Sequence, residues 1–231
     1  VLVELYTSQG CSSCPPADRL LSAIAGERAG GVVALEFHVD FWNSGGWTDP
    51  FSSRDWTARQ VAYERVLGQT QVYTPQAVVD GRVEMVGSDA ARLRPALDAA
   101  AGQPGGRIQL HLEPSPGRVQ VGADVTLPGA LHGRRLDLMA VVFQRDLTTP
   151  VGRGENGGHT LHNDFVVRSL DRVDRIKAEG PASSHHTASL RLSTDWEASR
   201  LGVAVFLQDP KTLEVLGAAA QPFAAASAVA R

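Results

Sequence analysis

The sequence predicts two halves of different class, an α/β domain over residues 1–101 and an all-β, sandwich-like domain over residues 107–231, joined by a linker at 102–106. Three observations point there. In the first half, apolar strand-like runs alternate with helix-like segments. In the second, short runs of alternating polarity recur with turn signals between them. Between the halves, the stretch Ala-Ala-Ala-Gly-Gln-Pro-Gly-Gly-Arg at 99–107 interrupts both patterns.

The first half reads β-α-β-α-β-β-α. Residues 1–6 are a short apolar strand. Residues 17–27 form a helix with Leu20, Leu21 and Ile24 on one face. Residues 32–39 are apolar almost throughout, as a strand covered on both faces should be. A helix at 53–67 starts with Ser53 as cap and stops at Gly68; Trp56, Ala62, Tyr63 and Val66 supply its buried side. Asp80-Gly81 between the runs 76–80 and 82–86 is a two-residue hairpin signal. A helix at 88–100, capped by Ser88, closes the half despite Pro95. The order predicts a mixed sheet with helices on both faces. In the second half, strands are expected at 107–113, 118–126, 136–145, 164–170, 187–193, 202–208 and 213–221. Asp209-Pro210-Lys211-Thr212 marks a turn, and His185-His186 falls in an expected solvated loop at 181–187.

Composition narrows the classes of function. The chain has 231 residues, 43% hydrophobic and 20% charged. At this length roughly 70% of the unfolded surface can be buried, so no staple is needed to hold a core. A net charge of −3 argues against nucleic-acid binding through a basic face. No apolar run approaches the roughly 18–20 residues of a bilayer span. The Ala-rich end, 218–231, is expected to be disordered. The chain opens at Val1 inside a strand-like run without an initiator Met, so a signal peptide or another trimmed segment is expected to precede it.

The two cysteines sit together as Cys11-Ser12-Ser13-Cys14. They are too few for a disulfide scaffold or for a closed zinc site of four ligands. A Cys-x-x-Cys that follows a strand and opens a helix has a definite use. The helix start offers free N–H groups and a positive pole, so a thiolate there can have its pKa drawn from about 8.5 into the range of roughly 3.5–7.5. Cys11 is then the outer, reachable sulfur, and Cys14 resolves a mixed disulfide. Pro15 and Pro16 are tolerable only in a first turn, which places the helix start at the cysteines.

Other residues gather near the pair. His38 and Asp40 close the second strand on one face, at the carboxyl end where ligands collect in parallel sheets. His38 could raise the thiolate fraction or join the two sulfurs on a metal; the plainer reading is a hydrogen-bonded histidine at a strand end. Phe41, Trp42, Trp47, Phe51 and Trp56 make an aromatic stretch that either covers the thiol site or packs as a cluster of its own. In the second half, Glu155 and Asn156 lie in a Gly-rich loop that either docks on the thiol rim or turns at the surface.

The first strand, Cys11–Cys14 and Thr74-Pro75-Gln76-Ala77-Val78-Val79-Asp80-Gly81, in that order, resemble the thioredoxin superfamily. The resemblance implies a cis-Pro75 facing the cysteines, with the backbone of Thr74 pairing an incoming peptide. It also offers Glu4 as a buried acid that moves a proton off the inner cysteine, against the plainer reading of Glu4 as a partner for Arg or Lys. At finer grain, Cys11-Ser12-Ser13-Cys14-Pro15-Pro16-Ala17-Asp18, His38-Val39-Asp40-Phe41-Trp42, Trp47-Thr48-Asp49-Pro50-Phe51 and Gly154-Glu155-Asn156-Gly157-Gly158 with Leu161-His162 and Val166-Val167-Arg168 resemble one family of mostly exported bacterial proteins, domain-of-unknown-function 1223. His159 stands where that pattern leads one to expect Arg. The resemblance spans nearly the whole chain and implies a thioredoxin-like N-terminal domain, a C-terminal β domain and a periplasmic or secreted location.

Three functions follow as expectations. The first is a thiol–disulfide oxidoreductase without cofactor: Cys11 and Cys14 exchange with a protein or peptide disulfide, Thr74 and Pro75 orient it, Glu4, His38, Asp40, Trp42, Glu155 and Asn156 support the site, and a separate redox partner restores it. The second is a soft-metal module holding copper through Cys11, Cys14 and His38. The third is an interaction domain with a structural disulfide.

Overall fold

Local chemistry sets most of the element boundaries in the computed structural model, which describes residues 1–223. Strand β1 (Leu2–Thr7) leads through the cysteines into helix α1 (Pro15–Glu27). Pro15 and Pro16 occupy its first two positions, where a missing N–H breaks no helical bond. Strand β2 (Val33–His38) follows, then α2 (Arg54–Val66), whose cap Ser53 accepts from the Asp55 N–H at 3.1 Å. Strands β3 (Gln76–Val79) and β4 (Val83–Val86) form the expected hairpin, with Asp80 and Gly81 both at positive φ, 45° and 64°. Helix α3 (Ala90–Ala101) starts later than expected, because Asp89 rather than Ser88 caps it, accepting from the Arg92 N–H at 3.1 Å. A carboxylate is well suited to that positive end.

The second half contributes β5 (Arg107–Ser115), β6 (Arg118–Leu127), β7 (Arg135–Gln144), β8 (Leu147–Pro150), β9 (Thr160–Asn163), β10 (Val166–Lys177), β11 (Ala182–Arg191), β12 (Leu201–Gln208) and β13 (Val215–Pro222). The hairpin β8–β9 was not expected; its strands have four residues each and show no strong apolar alternation. Strand β11 starts earlier than expected. His185 and His186 therefore lie on a strand, not in a solvated loop, and His185 Nδ1 meets Asp124 Oδ1 at 2.7 Å. Of the Ala-rich end, residues 218–222 belong to β13; the expected disorder from 224 onward lies outside the described residues.

The chain is mostly β, built on one large mixed sheet in the order β13-β12-β7-β10-β2-β1-β3-β4. β2 pairs in parallel with both β1 and β10, and the other pairings are antiparallel. The sheet thus runs from one half of the sequence into the other. Gly105 and Gly106 lie against β13, where the Gly106 N–H donates to the Leu216 carbonyl at 2.5 Å.

Strand periodicity divides the core into three parts. Val3, Leu5, Ala34, Ala77 and Val79 face α1 and α3. On the same face of the large sheet, Leu136, Leu138, Val203, Val205 and Leu207 face a second sheet, β11-β6-β5, with Val119, Val121 and Val125. The opposite face buries Leu35, Phe37, Val141, Phe143 and Phe206 with Trp56 and Tyr63 of α2. Among the described residues, no helix is long and apolar enough to cross a membrane.

Candidate functional site

The cysteines lie where β1 hands over to α1. Cys14 stands at the cap position of the helix, its backbone carbonyl accepting from the Ala17 and Asp18 N–H groups at 2.8 and 3.2 Å. Cys11 and Cys14 form a disulfide. Cys11 Sγ lies 3.3 Å from Ser13 Oγ and 4.0 Å from the carbonyl of Thr74, next to Pro75, whose peptide bond is cis. Because Pro15 and Pro16 bring no N–H, the first two positions of the helix offer the sulfurs no backbone donor.

Cys11 is not the reachable sulfur that the sequence led one to expect: both cysteines have 0% of their surface exposed. Two elements account for this. Trp42 packs against Gly10, and its indole N–H donates to Thr74 Oγ1 at 2.7 Å. The 151–159 loop between β8 and β9 closes on the cysteine turn. Glu155 Oε2 accepts from the Ser12 N–H at 2.9 Å, and Asn156 Nδ2 donates to the carbonyls of Gln9 and Cys11 at 2.9 and 3.0 Å. Glu155 and Asn156 therefore do dock on the thiol rim, and the hydrogen bonds from Ser12 lower the Glu155 carboxyl below its usual range. The same loop packs closely on the segment after β2: at Gly154, with φ 78°, a Cβ would meet Gly45 O and Trp47 Cβ at 3.2 Å.

A buried polar network underlies the turn. On β2, Glu36 and His38 share the face that meets α1. His38 Nδ1 bonds Asp49 Oδ2 at 2.7 Å, and His38 Nε2 lies 3.5 Å from Glu36 Oε2, all with fully buried side chains. Burial opposes a charge on His38, but the Asp49 and Glu36 carboxylates outweigh it and raise its pKa to about 10. Burial pushes Glu36 up to about 8, and the Asp18 charge adds to the shift. Burial also raises Asp18 to about 6, against a 2.7 Å hydrogen bond from Thr7 Oγ1. The network reaches the cysteine turn through Gln9. Its N–H donates to Asp49 at 2.8 Å, and its side chain donates to Asn163 on β9 at 3.0 Å. Asn163 in turn donates to Asp18 at 3.4 Å.

Sequence reasoning picked out His38 but missed Gln9, Asp18, Glu36, Asp49 and Asn163 as site residues. Glu36 carried a usable signal, being an acid two residues from His38 in an otherwise apolar strand. Glu4 takes the plainer of its two readings. Alternation sends it to the α2 face, where Arg59 Nε donates to it at 2.5 Å and the Tyr63 hydroxyl at 2.5 Å. Asp40 is drawn away too, accepting from Thr57 Oγ1 at 2.6 Å on α2. As for a metal centre with Cys11 and Cys14, both ring nitrogens of His38 face carboxylates instead. Among the described residues, no group of three or more His, Cys, Asp and Glu side chains is arranged to hold a metal ion.

A family model described as "Protein of unknown function (DUF1223)" matches residues 2–208. The chain belongs to this family. A crystal structure of a protein from Agrobacterium tumefaciens is similar to this DUF1223 chain at 30% identity and a TM-score of 0.75, covering 95% of this chain and 92% of the other. HBP35 of Porphyromonas gingivalis shares the fold, with a TM-score of 0.69 at 17% identity over 100% of this chain and 77% of its own. No curated protein matches the chain.

Proposed function

We propose that this protein carries out thiol–disulfide exchange through Cys11 and Cys14, on a first half of thioredoxin-like fold. The observation that carries this reading is the seat of the pair. Both sulfurs lie at the N-terminal end of α1, with Cys11 Sγ 4.0 Å from the Thr74 carbonyl that leads into β3. A helix start favours the thiolate, and an adjacent backbone carbonyl gives an extended peptide a place to pair.

In the reduced protein, the Cys11 thiolate attacks one sulfur of a substrate disulfide and expels the other as a thiolate, which takes up a proton. Cys14 then loses its proton and attacks Cys11 in the mixed disulfide, releasing the second substrate sulfur as a thiol. Two electrons and two protons pass to the substrate, and the reverse sequence oxidises a dithiol. A redox partner completes the cycle. We place the chain in an oxidising compartment, periplasmic or secreted, where peptide disulfides persist.

The burial of both sulfurs favours a second reading, a disulfide that only fixes the approach to α1. A Cys14→Ser variant separates the two. Exchange requires a mixed disulfide through Cys11 to accumulate with a peptide disulfide or from cell extract, detected by mass and released by reductant. A variant that forms no adduct with either leaves the second reading in place.

A further inference from the structure

Reading the cysteine pair as an exchange site leaves one obstacle, because neither sulfur has exposed surface. Part of the cover comes from the other half of the chain, and its construction divides into a fixed base and a glycine-rich tip. At the base, Asn163 is buried and tied to Gln9 and Asp18, and Val151 is 2% exposed. At the tip, Gly152, Gly154, Gly157 and Gly158 surround Glu155 and Asn156. The tip holds the cysteine turn through three hydrogen bonds, one to Glu155 and two from Asn156. Asn156 is buried and Gly154 packs on Gly45 and Trp47, so the Glu155 contact is the part of this hold that a charge beneath it can change.

The chemistry of the tip makes its hold depend on the redox state beneath it. Glu155 places a carboxylate on the Ser12 N–H, next to Cys11 and at the positive end of α1. With the disulfide closed, the sulfurs carry no charge, and the carboxyl groups at that pole are Glu155, on the Ser12 N–H, and the buried Asp18 of the first turn. Reduction by an external dithiol breaks the S–S bond. The two electrons come from the dithiol, which closes to its own disulfide; Cys14 is left as a thiol, Cys11 as a thiolate, and one proton goes to solvent. The thiolate then stands one residue from the Ser12 N–H that holds Glu155, and the two like charges repel.

We propose that the 151–159 loop is a redox-coupled latch, closed over the disulfide by Glu155 and Asn156 and released when reduction puts a thiolate on Cys11. The coupling is reciprocal: whatever opens the loop also favours the thiolate. The latch regulates the proposed exchange site and so rests on that reading, but its test needs no substrate.

The test compares hydrogen exchange at the Gly157 and Gly158 amides, which bond the Gly154 and Val151 carbonyls, in the disulfide form and after phosphine reduction. Rates of tryptic cleavage after Arg153 give a second readout. Reduction should speed both at least fivefold in the wild type. A Cys11→Ser/Cys14→Ser variant treated with phosphine should show no such response. Glu155→Gln keeps an acceptor for Ser12 without the charge, so its response should fall below half of the wild-type value. Asn156→Ala should expose the loop in both redox states and speed reduction of the disulfide. Equal loop exchange in the oxidised and reduced wild type overturns the latch, as does a Glu155→Gln response equal to the wild type. If the loop responds as described but Cys14→Ser traps nothing, the exchange reading fails and the latch stands. A trapped adduct with a silent loop overturns the latch and upholds exchange.

Discussion

Arg59 offers a quantitative test of the assignment of Glu4 to structure rather than to the thiol chemistry. The Glu4 side chain is 1% exposed and that of Arg59 is 10%. Arg59 donates to both Glu4 oxygens, at 2.5 and 3.0 Å, and to Gln208 Oε1 at 3.2 Å, while its guanidinium lies 5.3–5.6 Å from the ring centres of Phe37, Tyr63 and Phe206. Arg59→Met fills much of the same space but strands a buried carboxylate with only tyrosine hydroxyls as donors. Losing one partner of a buried pair costs about 3–5 kcal/mol. For a chain of this size that corresponds to a fall in Tm of roughly 6–20 °C. Adding Glu4→Gln removes the stranded charge, so the double variant should recover more than half of the loss. Urea unfolding followed by circular dichroism, with the disulfide intact, measures both. The alkylation rate of Cys11 after reduction should be unchanged in the double variant. An Arg59→Met cost below about 1 kcal/mol, or a double variant no more stable than the single, refutes this account of Glu4.

Three further outcomes follow from the buried network and the shared sheet. His38 is raised to about 10 and Glu36 to about 8, so the folded state holds protons that the unfolded chain releases at lower pH. The stabilisation linked to His38 is complete below about pH 6.5 and is lost as pH rises through its folded value; that linked to Glu36 is complete below its unfolded value of about 4.3 and is lost in the same direction. Wild-type unfolding free energy should therefore fall between pH 7 and 9, by about 1.4 kcal/mol per pH unit for each proton involved, and Glu36→Gln/His38→Gln should flatten the curve; a flat wild-type curve contradicts the network. Leu138→Ala, at a position with no exposed surface where the two sheets face each other, should cost about 2–5 kcal/mol in the same urea assay, and a cost under half of that range would mean the sheets are loosely packed there. Because β10 pairs with β2 and the α2-side core joins Phe37 to Phe143 and Phe206, unfolding should be one transition by both fluorescence and circular dichroism, and two separated transitions would contradict a shared core.

Much of the fold was legible because local chemistry and long-range packing agreed. The Asp80-Gly81 turn, the Pro15-Pro16 helix start and the Ser53 cap each act over a few residues, and each sits where its own chemistry puts it. The shared sheet was not legible. It depends on β10 lying beside β2, a contact between Val166 and Glu36 across most of the chain that no local pattern encodes. The site divides along the same line. Cys11, Cys14 and Thr74-Pro75 announced themselves through motif and order, whereas the buried acids are brought together only by tertiary packing. Asp18 reads locally as an ordinary first-turn acid, favourable at a helix start, until Thr7 and Asn163 close over it. The burial of Cys11 was equally hidden, because the residues that cover it from the other half, Glu155 and Asn156, sit in a short hairpin that gave no strand signal.

The reduction potential of the Cys11–Cys14 pair tests the central claim most directly. It can be read by equilibrating the protein against glutathione and dithiothreitol buffers and counting free thiols. A pair that turns over should lie within the range of exchange proteins, roughly −270 to −120 mV. A value below about −300 mV, where structural disulfides fall, would contradict exchange and leave the bond as a fixed part of the fold.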